Sequence, residues 1–499
     1  MIPPQGKPTI LLAKPAPGYH AWPIADDFCR HLYRCPAATF PALAGAVPRE
    51  GVAFYDGVFE PGATPEALGR LAADFPIVAL GVVSPVTALN THMQIRAIRQ
   101  LAPRTKIIMG GHHATMFAER WLEHGVDAVV RQEGEQAFAE LTQRYLAGES
   151  PAGIAGVTWR DGERTVVEAD REFVHSLDDL PLPRWDVVDF SLYDLGMAPH
   201  GRSASLETAR GCGHGCTFCC VSTMWRRRQR FKSAARVAEE LRDLHARGVR
   251  QLLIADDNFG AHRERDKEIF EQTKNLDMAM WALIRPETIY RYPDWVDAAA
   301  AGGLKMALVG FENLDQRMLQ DFDKDVGLGL PEYREVYRRL RAHGVFVYGL
   351  FVRDYDFTDH DVWPYRGLFQ VADMTTHCRY IPMPGVPAAD TLIQEGYEMR
   401  DMFYHNRFIP AFRHHTRIQK SRFAGAALLA LIHPRNFWKM WRGDYVARTF
   451  FRRVYGGILK DLLNMRWKHM KILSVWLHRN WSPQKRQDAT VRLALDDKP

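Results

Sequence analysis

The chain has 499 residues, 46% hydrophobic and 25% charged, which suits a globular protein of roughly two or three domains. Its longest apolar run near the C-terminus, Phe423 to Ile432, falls short of the ~20 residues of a spanning helix. Seven cysteines, three of them clustered, argue for a reducing compartment rather than a disulfide scaffold. The net charge of +6 conceals an asymmetry: residues 401–499 hold 20 Lys and Arg against 6 Asp and Glu, so the remainder is net acidic. Met1-Ile2-Pro3-Pro4-Gln5-Gly6-Lys7 runs almost directly into a strand-like segment without a secretory pattern, so a cytoplasmic setting is expected.

Residues 1–145 alternate strands and helices. Apolar β-type runs occur at Thr9–Ala13, Val52–Tyr55, Ile77–Val83, Lys106–Met109 and Ala128–Val130. Continuous apolar strands with crossover helices predict a parallel, doubly wound sheet, which binds ligands at the carboxyl ends of its strands. Those ends carry Asp56, Ser84, Gly110-Gly111-His112-His113 and Glu133-Gly134-Glu135. There is no GxGxxG, so a dinucleotide is not the obvious ligand.

Residues 146–200 read as a connector, because Leu177-Asp178-Asp179-Leu180-Pro181-Leu182-Pro183 cannot propagate a helix or a central strand. The βα rhythm resumes over 201–395, with strands near Ser205–Thr208, Gln251–Ile254, Met278–Ile284, Lys305–Phe311, Val345–Phe351 and Arg379–Ile381, and a helix at Ala234–Arg247. Six such units predict a partial barrel with its chemistry at the C-terminal mouth.

The first of these strands leads into Arg210-Gly211-Cys212-Gly213-His214-Gly215-Cys216-Thr217-Phe218-Cys219. Three thiols at C-x3-C-x2-C spacing can hold three irons of a cubane and leave the fourth open. Structural zinc takes four ligands in two knuckles, and no second CxxC pair occurs; a degenerate zinc site through His214 is the competing reading. Cys220 lies outside the spacing and is expected to pack.

This loop resembles the signature of radical S-adenosylmethionine (SAM) enzymes, in which the open iron chelates the amino and carboxylate groups of SAM; Phe218 matches the aromatic before the last cysteine. The resemblance implies that Cys212, Cys216 and Cys219 ligate a [4Fe-4S] cluster. It places acceptors for the SAM ammonium at Asp256, Asp257 and Asn258, and a partner for the carboxylate at Arg285. Val309-Gly310-Phe311-Glu312-Asn313 resembles the family's GxxE-type strand end, with Gly310 allowing close approach and Glu312 touching SAM. The ordinary alternatives are a helix N-cap for one of the Asp/Asn residues, a core glycine and a surface acid.

Upstream, Ile107–Thr115 and Val126–Glu135 resemble the cobalamin-binding domain that precedes many radical SAM cores. That resemblance implies backbone approach at Gly110 and Gly111, hydrogen bonds from Ser84 and Thr87 to the nucleotide tail, and a lining that includes His112, His113, Glu133 and Glu135. The DxHxxG motif is absent, since the segment reads Asp56-Gly57-Val58-Phe59-Glu60-Pro61-Gly62; no histidine from there ligates cobalt. A flavodoxin-like domain without ligand is the alternative. Tyr380–Pro387 resembles a turn that closes the barrel in this subgroup, and Cys378 beside it reads as a buried thiol.

Residues 396–499 lose the βα rhythm and mix Trp438, Trp441, Phe450, Phe451, Trp467, Trp476 and Trp481 with cations. A helical cap, a membrane-interface helix and an anion-binding surface all fit this composition. The expected fold is α/β: an N-terminal doubly wound cobalamin-binding (Rossmann-like) domain, a partial (β/α)6 radical SAM barrel and a C-terminal helical region.

Over about 1–400 the chain resembles the cobalamin-binding radical SAM family, nearest to members acting on bulky apolar substrates such as hopanoid and bacteriochlorophyll methylases and the anaerobic protoporphyrin ester cyclase. The resemblance implies C-methylation of an unactivated carbon in an apolar or natural-product-like substrate, lipid-like or tetrapyrrole, through a 5′-deoxyadenosyl radical and methylcobalamin. It also implies an electron donor such as flavodoxin or ferredoxin; peripheral membrane contact is one reading of the tail's composition, and no nucleic-acid partner is expected. Radical oxidation or ring closure without methyl transfer is the alternative chemistry, and a cobalamin sensor or carrier the alternative class. A methylthiotransferase is disfavoured, because the N-terminal domain offers only Cys29 and Cys35.

Overall fold

The computed structural model describes residues 1–15, 34–83, 85–195, 201–324, 326–353, 370–379 and 386–394, together with two short strands at Tyr397–Met399 and Phe412–His414. Ser84, Cys29, the side chain of Cys378, the closing turn at 380–385 and nearly all of the basic C-terminal region lie outside the described residues.

Five strands form the first parallel sheet: β1 (Ile10–Lys14), β2 (Val52–Asp56), β3 (Ile77–Gly81), β4 (Lys106–Gly110) and β5 (Ala128–Val130), in spatial order β2-β1-β3-β4-β5. They read as continuous apolar runs because both faces are covered. Ile10, Leu12 and Phe54 join one core, while Leu11, Ala53 and Val78 join the other. The predicted boundary at 145 needs extending. A hairpin, β6 (Val157–Asp161) and β7 (Arg164–Val167), pairs antiparallel on the β5 edge and completes a seven-stranded sheet. Three of its last strand's four residues are exposed, so no apolar run announced it.

The second sheet holds β8 (Arg202–Leu206), β11 (Val249–Phe259), β12 (Ala279–Ile284), β13 (Leu304–Glu312), β14 (Phe346–Arg353) and β15 (Met374–Arg379). All neighbours are parallel and each strand lies beside its successor, with β8 and β15 at the two edges among the described residues. That is the predicted partial barrel of six strands. Between β8 and β11, the short strands β9 (Ala209–Arg210) and β10 (Arg230–Phe231) pair antiparallel and set Arg210 opposite Arg230. The cysteine loop is the excursion between them.

The lumen is a packed core: Trp281, Met306, Phe346, Tyr348 and Met374 meet there with Cys35 and Leu195. Residues 34–36 run along β8, whose Ser203 and Ser205 hydroxyls donate to the Arg34 and Pro36 carbonyls at 2.5 Å each. Burial pushes the Cys35 thiol up to about 12. No helix among the described residues is long and apolar enough to cross a membrane.

The connector is structurally active. Tyr193 donates its hydroxyl to the buried Asp56 carboxylate at 2.9 Å, which also accepts from the Val58 amide at 3.0 Å and Lys14 at 3.4 Å. Asp56, at the carboxyl end of β2, is therefore tied to the connector rather than open to a ligand. Tyr193→Phe leaves one of its acceptor positions without a donor. It is expected to cost about 1–3 kcal/mol, read as a lower urea midpoint.

Candidate active site

The barrel strands end at one mouth, and the cysteine loop lies over it. Gly211, the first loop residue, has φ of +84°, and a Cβ there would lie 2.1 Å from the Arg228 carbonyl oxygen. Only glycine fits that position. Its amide donates to Asp257 at 3.1 Å, fastening the loop to the end of β11. On the other side the Thr217 amide donates to the Phe322 carbonyl at 3.0 Å, its hydroxyl donates to the Asp321 carbonyl at 3.1 Å, and the Phe218 ring packs on Phe322 at 5.0 Å between centroids. Arg285, at the end of β12, brings a guanidinium nitrogen to 3.8 Å from the Cys216 sulfur.

The three acceptors expected at the end of β11 have different jobs. Asp256 is fully committed: the Thr208 amide and hydroxyl and the Ala209 amide all donate to it, at 2.6, 2.5 and 2.9 Å. It anchors the strand leading into the loop and is not free to meet an ammonium group; burial pushes its carboxyl up to about 6. Asp257 faces the cysteines, and burial likewise pushes it to about 6. Asn258 is buried, and its side-chain oxygen has no partner among the described residues. Such a group costs about 1–3 kcal/mol unless a ligand satisfies it.

At the end of β13, Glu312 adopts φ of +59° where the pairing with β14 slips between Gly310 and Glu312. Its carboxylate pairs with the buried Lys324, and a Cβ on Gly310 would meet both. Lys324 and Glu287 were not foreseen. Glu287 pairs with Arg285 while its second oxygen is buried and unpartnered. Its place two residues after the expected Arg285 was the available signal; Lys324 offered none, since only the fold brings it to Gly310.

The ligand face of the first sheet needs more correction. Gly111 has φ of +101° and its absent Cβ would sit 2.5 Å from the Val82 carbonyl, which leaves backbone bare at the ends of β3 and β4. Gly110 lies beside it, with its nearest neighbour, the Val130 carbonyl, 3.6 Å from a Cβ position. Thr87 lies in the helix Pro85–Leu101, and its carbonyl accepts from Thr91 at 2.8 Å. His113 does not line this face. It is fully buried, accepts the Trp121 indole N–H at 3.2 Å and stacks near Phe117. His112 instead presents a buried Nε2 without a partner, and burial holds its imidazole below the ordinary value.

Glu133 and Glu135 are likewise not turned to a ligand; both close on Arg210. Arg210 reaches Glu133 at 3.0 Å, Glu135 at 2.5 Å and Glu207 at 2.8 Å, and Arg230 meets Glu133 at 2.8 Å. Arg210, Glu133 and Glu135 are each less than a tenth exposed. The residue two places before Cys212 is thereby locked to the end of β5.

Comparison with known proteins agrees with this geometry. Residues 34–142 match the B12 binding domain model and residues 206–365 the radical SAM superfamily model, together more than half of the chain. The chain joins a B12 binding domain to a radical SAM domain. Among its relatives, an uncharacterized methyltransferase of Pyrococcus horikoshii is 26% identical over 62% of this chain and 67% of its own length. The anaerobic magnesium-protoporphyrin IX monomethyl ester cyclase of Cereibacter sphaeroides is 25% identical over 69% of this chain, which spans 56% of that protein. The solved radical SAM methyltransferase TsrM of Kitasatospora setae, with cobalamin and a [4Fe-4S] cluster bound, shares the fold at a TM-score of 0.65, covering 92% of this chain and all of that one at 16% identity.

The donor set of this cobalamin-binding radical SAM protein suits its cofactors. Among the described residues no three His, Cys, Asp or Glu side chains converge on one ion, and a cubane does not require it, because each thiolate binds a different iron. Cys212→Ala, Cys216→Ala and Cys219→Ala are each expected to lose iron and sulfide after anaerobic reconstitution, whereas Cys220→Ala retains both.

Arg210→Met strands the buried Glu135 carboxylate and leaves Glu133 to Arg230 alone, at about 3–5 kcal/mol. Burial raises the Glu135 carboxyl, but the Arg210 charge and hydrogen bond outweigh it and hold the group below its ordinary value. A depressed folded-state carboxyl contributes stability above its unfolded pKa and loses it as pH falls. Wild-type stability should therefore fade below about pH 5, and the unfolding midpoint of Arg210→Met should lose that part of the acid dependence.

Proposed function

We propose that the chain is a cobalamin-dependent radical SAM enzyme that methylates an unactivated carbon of an apolar substrate. The observation that carries this reading is the joining of a three-thiol loop to a B12-binding sheet through the buried Arg210 pairs. When bound, the cluster with SAM supplies a 5′-deoxyadenosyl radical for hydrogen abstraction, and cobalamin supplies a transferable methyl group.

The protein's own residues bind and orient. Cys212, Cys216 and Cys219 hold the cluster. Asn258, in the role expected of it, and the second oxygen of Glu287, in place of Asp256, offer acceptors to the SAM ammonium. Arg285 offers its guanidinium to the SAM carboxylate while offsetting charge at Cys216. Lys324 fixes Glu312 in place, and the packed lumen excludes water from below. Bare backbone at Gly110 and Gly111, with His112 in place of His113, receives cobalamin.

Two features support an apolar substrate: the tetrapyrrole-modifying relative and the aromatic, cationic composition of residues 401–499, which also suits contact with a membrane surface. The same relative is named a cyclase, which favours ring closure without methyl transfer as the second reading. Anaerobic turnover with trideuteromethyl SAM and apolar cell extract separates the two. Label in an apolar product is the expected outcome. An unlabelled, oxidised product formed with 5′-deoxyadenosine would establish the second reading, and no 5′-deoxyadenosine at all would overturn both.

A further inference from the structure

Directly after the cysteine loop, a short helix (Cys220–Met224) ends in Trp225-Arg226-Arg227-Arg228. All three arginines are exposed. Arg226 and Arg227 both lie in the left-handed region, with φ of 50° and 55°, which is uncommon for long side chains and strained. The turn is held by the Arg227 amide donating to the Ser222 carbonyl and the Arg228 amide donating to the Trp225 carbonyl, each at 2.9 Å.

The turn is fitted to the cysteine loop on two sides. The Arg228 carbonyl occupies the space a Gly211 side chain would need, and a Cβ on Gly215 would stand 2.9 Å from the Arg227 guanidinium carbon. A cation therefore lies against the backbone between Cys212 and Cys216, with its neighbours turned to solvent. Arg226 has one ion pair, to Asp170 at 3.1 Å, both partners about half exposed. Arg227 and Arg228 have no carboxylate partner among the described residues. Arg230, two residues on, shows the contrast: it is spent on Glu133 and the Val174 carbonyl.

Exposed guanidiniums beside the cysteine loop, two of them without a carboxylate partner among the described residues, matter because the proposed chemistry consumes an electron from outside the chain. We propose that Arg226, Arg227 and Arg228 are the docking surface for a small acidic one-electron carrier protein that reduces the cluster, an inference that rests on the radical SAM reading. The carrier gives up one electron and the cluster gains one; no bond forms or breaks in that step. Exposed charges of this kind raise the rate of productive encounter more than the affinity, and salt weakens them.

The test compares two reductants on the reconstituted holoenzyme, with 5′-deoxyadenosine as the product. One is an acidic flavodoxin kept reduced by its reductase; the other is titanium(III) citrate, which needs no docking. The variant R226Q/R227Q/R228Q keeps side-chain length and removes charge. It should lower flavodoxin-driven turnover about tenfold at low salt and flatten its salt dependence, while titanium-driven turnover stays at the wild-type rate. Arg228→Glu alone, which leaves the strained pair untouched, should give a smaller loss of the same kind.

Unchanged flavodoxin-driven rates and salt dependence in both variants would overturn the docking surface. A parallel loss with both reductants in Arg228→Glu would also overturn it, placing the arginines in catalysis or folding. Failure of the wild type to cleave SAM with titanium would instead overturn the radical SAM reading itself.

Discussion

The buried pairing of Arg210 with Glu133 and Glu135 is the constraint on which the arrangement of the site depends. Taking ions out of water is costly, and an apolar seam of equal volume often holds two surfaces together as well or better. Charges in such a place are best understood through register, because a guanidinium fork accepts few geometries and an unpaired carboxylate is heavily penalised. Here the fork stands two residues before Cys212 and its partners stand at the end of β5. A shift of either sheet would strand charge, so the cysteine loop has one position relative to the first domain.

The same seam explains the charge distribution nearby. Lys232 and Arg236 close on the buried Glu240 at 2.8 and 2.6 Å, beside Arg210, Arg230, Glu133, Glu135 and Glu207. Four carboxylates face four cations, and none needs a counterion from solvent. On the barrel side, Asp256 does for the start of the loop what Arg210 does for its flank: three donors from residues 208 and 209 fix where β8 ends. The loop is held before its first cysteine by charge, at Gly211 by Asp257, and after Cys216 by Phe322. Cluster geometry is thus set by groups that never touch the cluster.

Much of this was legible in the sequence, and the failures share a cause. The first five strands and most barrel strands were readable because parallel strands covered on both faces are apolar runs. The last barrel strand, Met374–Arg379, instead reads MTTHCR and was expected later, near Arg379–Ile381. The cysteine spacing was readable because thiol chemistry is local. What escaped were long-range pairings. Glu133 and Glu135, flanking Gly134 at a strand end, look alike whether they face a ligand or an arginine 77 and 75 residues away. His112 and His113 are adjacent on a short helix, and only the position of Trp121 decides which is core. Ser203 and Ser205 look like polar strand residues until the 34–36 segment is seen against them.

Where polar groups are left unsatisfied is equally informative. The Asn258 oxygen, one Glu287 oxygen and His112 Nε2 belong to a small set of buried side-chain atoms without partners among the described residues. Each orphan costs stability that a bound ligand would offset where the fold leaves room for one. The first two lie at the barrel mouth beside Arg285, and the third at the bare backbone of Gly111. The sheet and the barrel thus each withhold bonding capacity at the one face where the fold leaves room for a ligand, while Arg210 fixes those faces relative to each other. A radical made at one would have to act at the other within the lifetime of an unstable species, and a rigid seam with open acceptors on both sides is the arrangement that such a reaction requires.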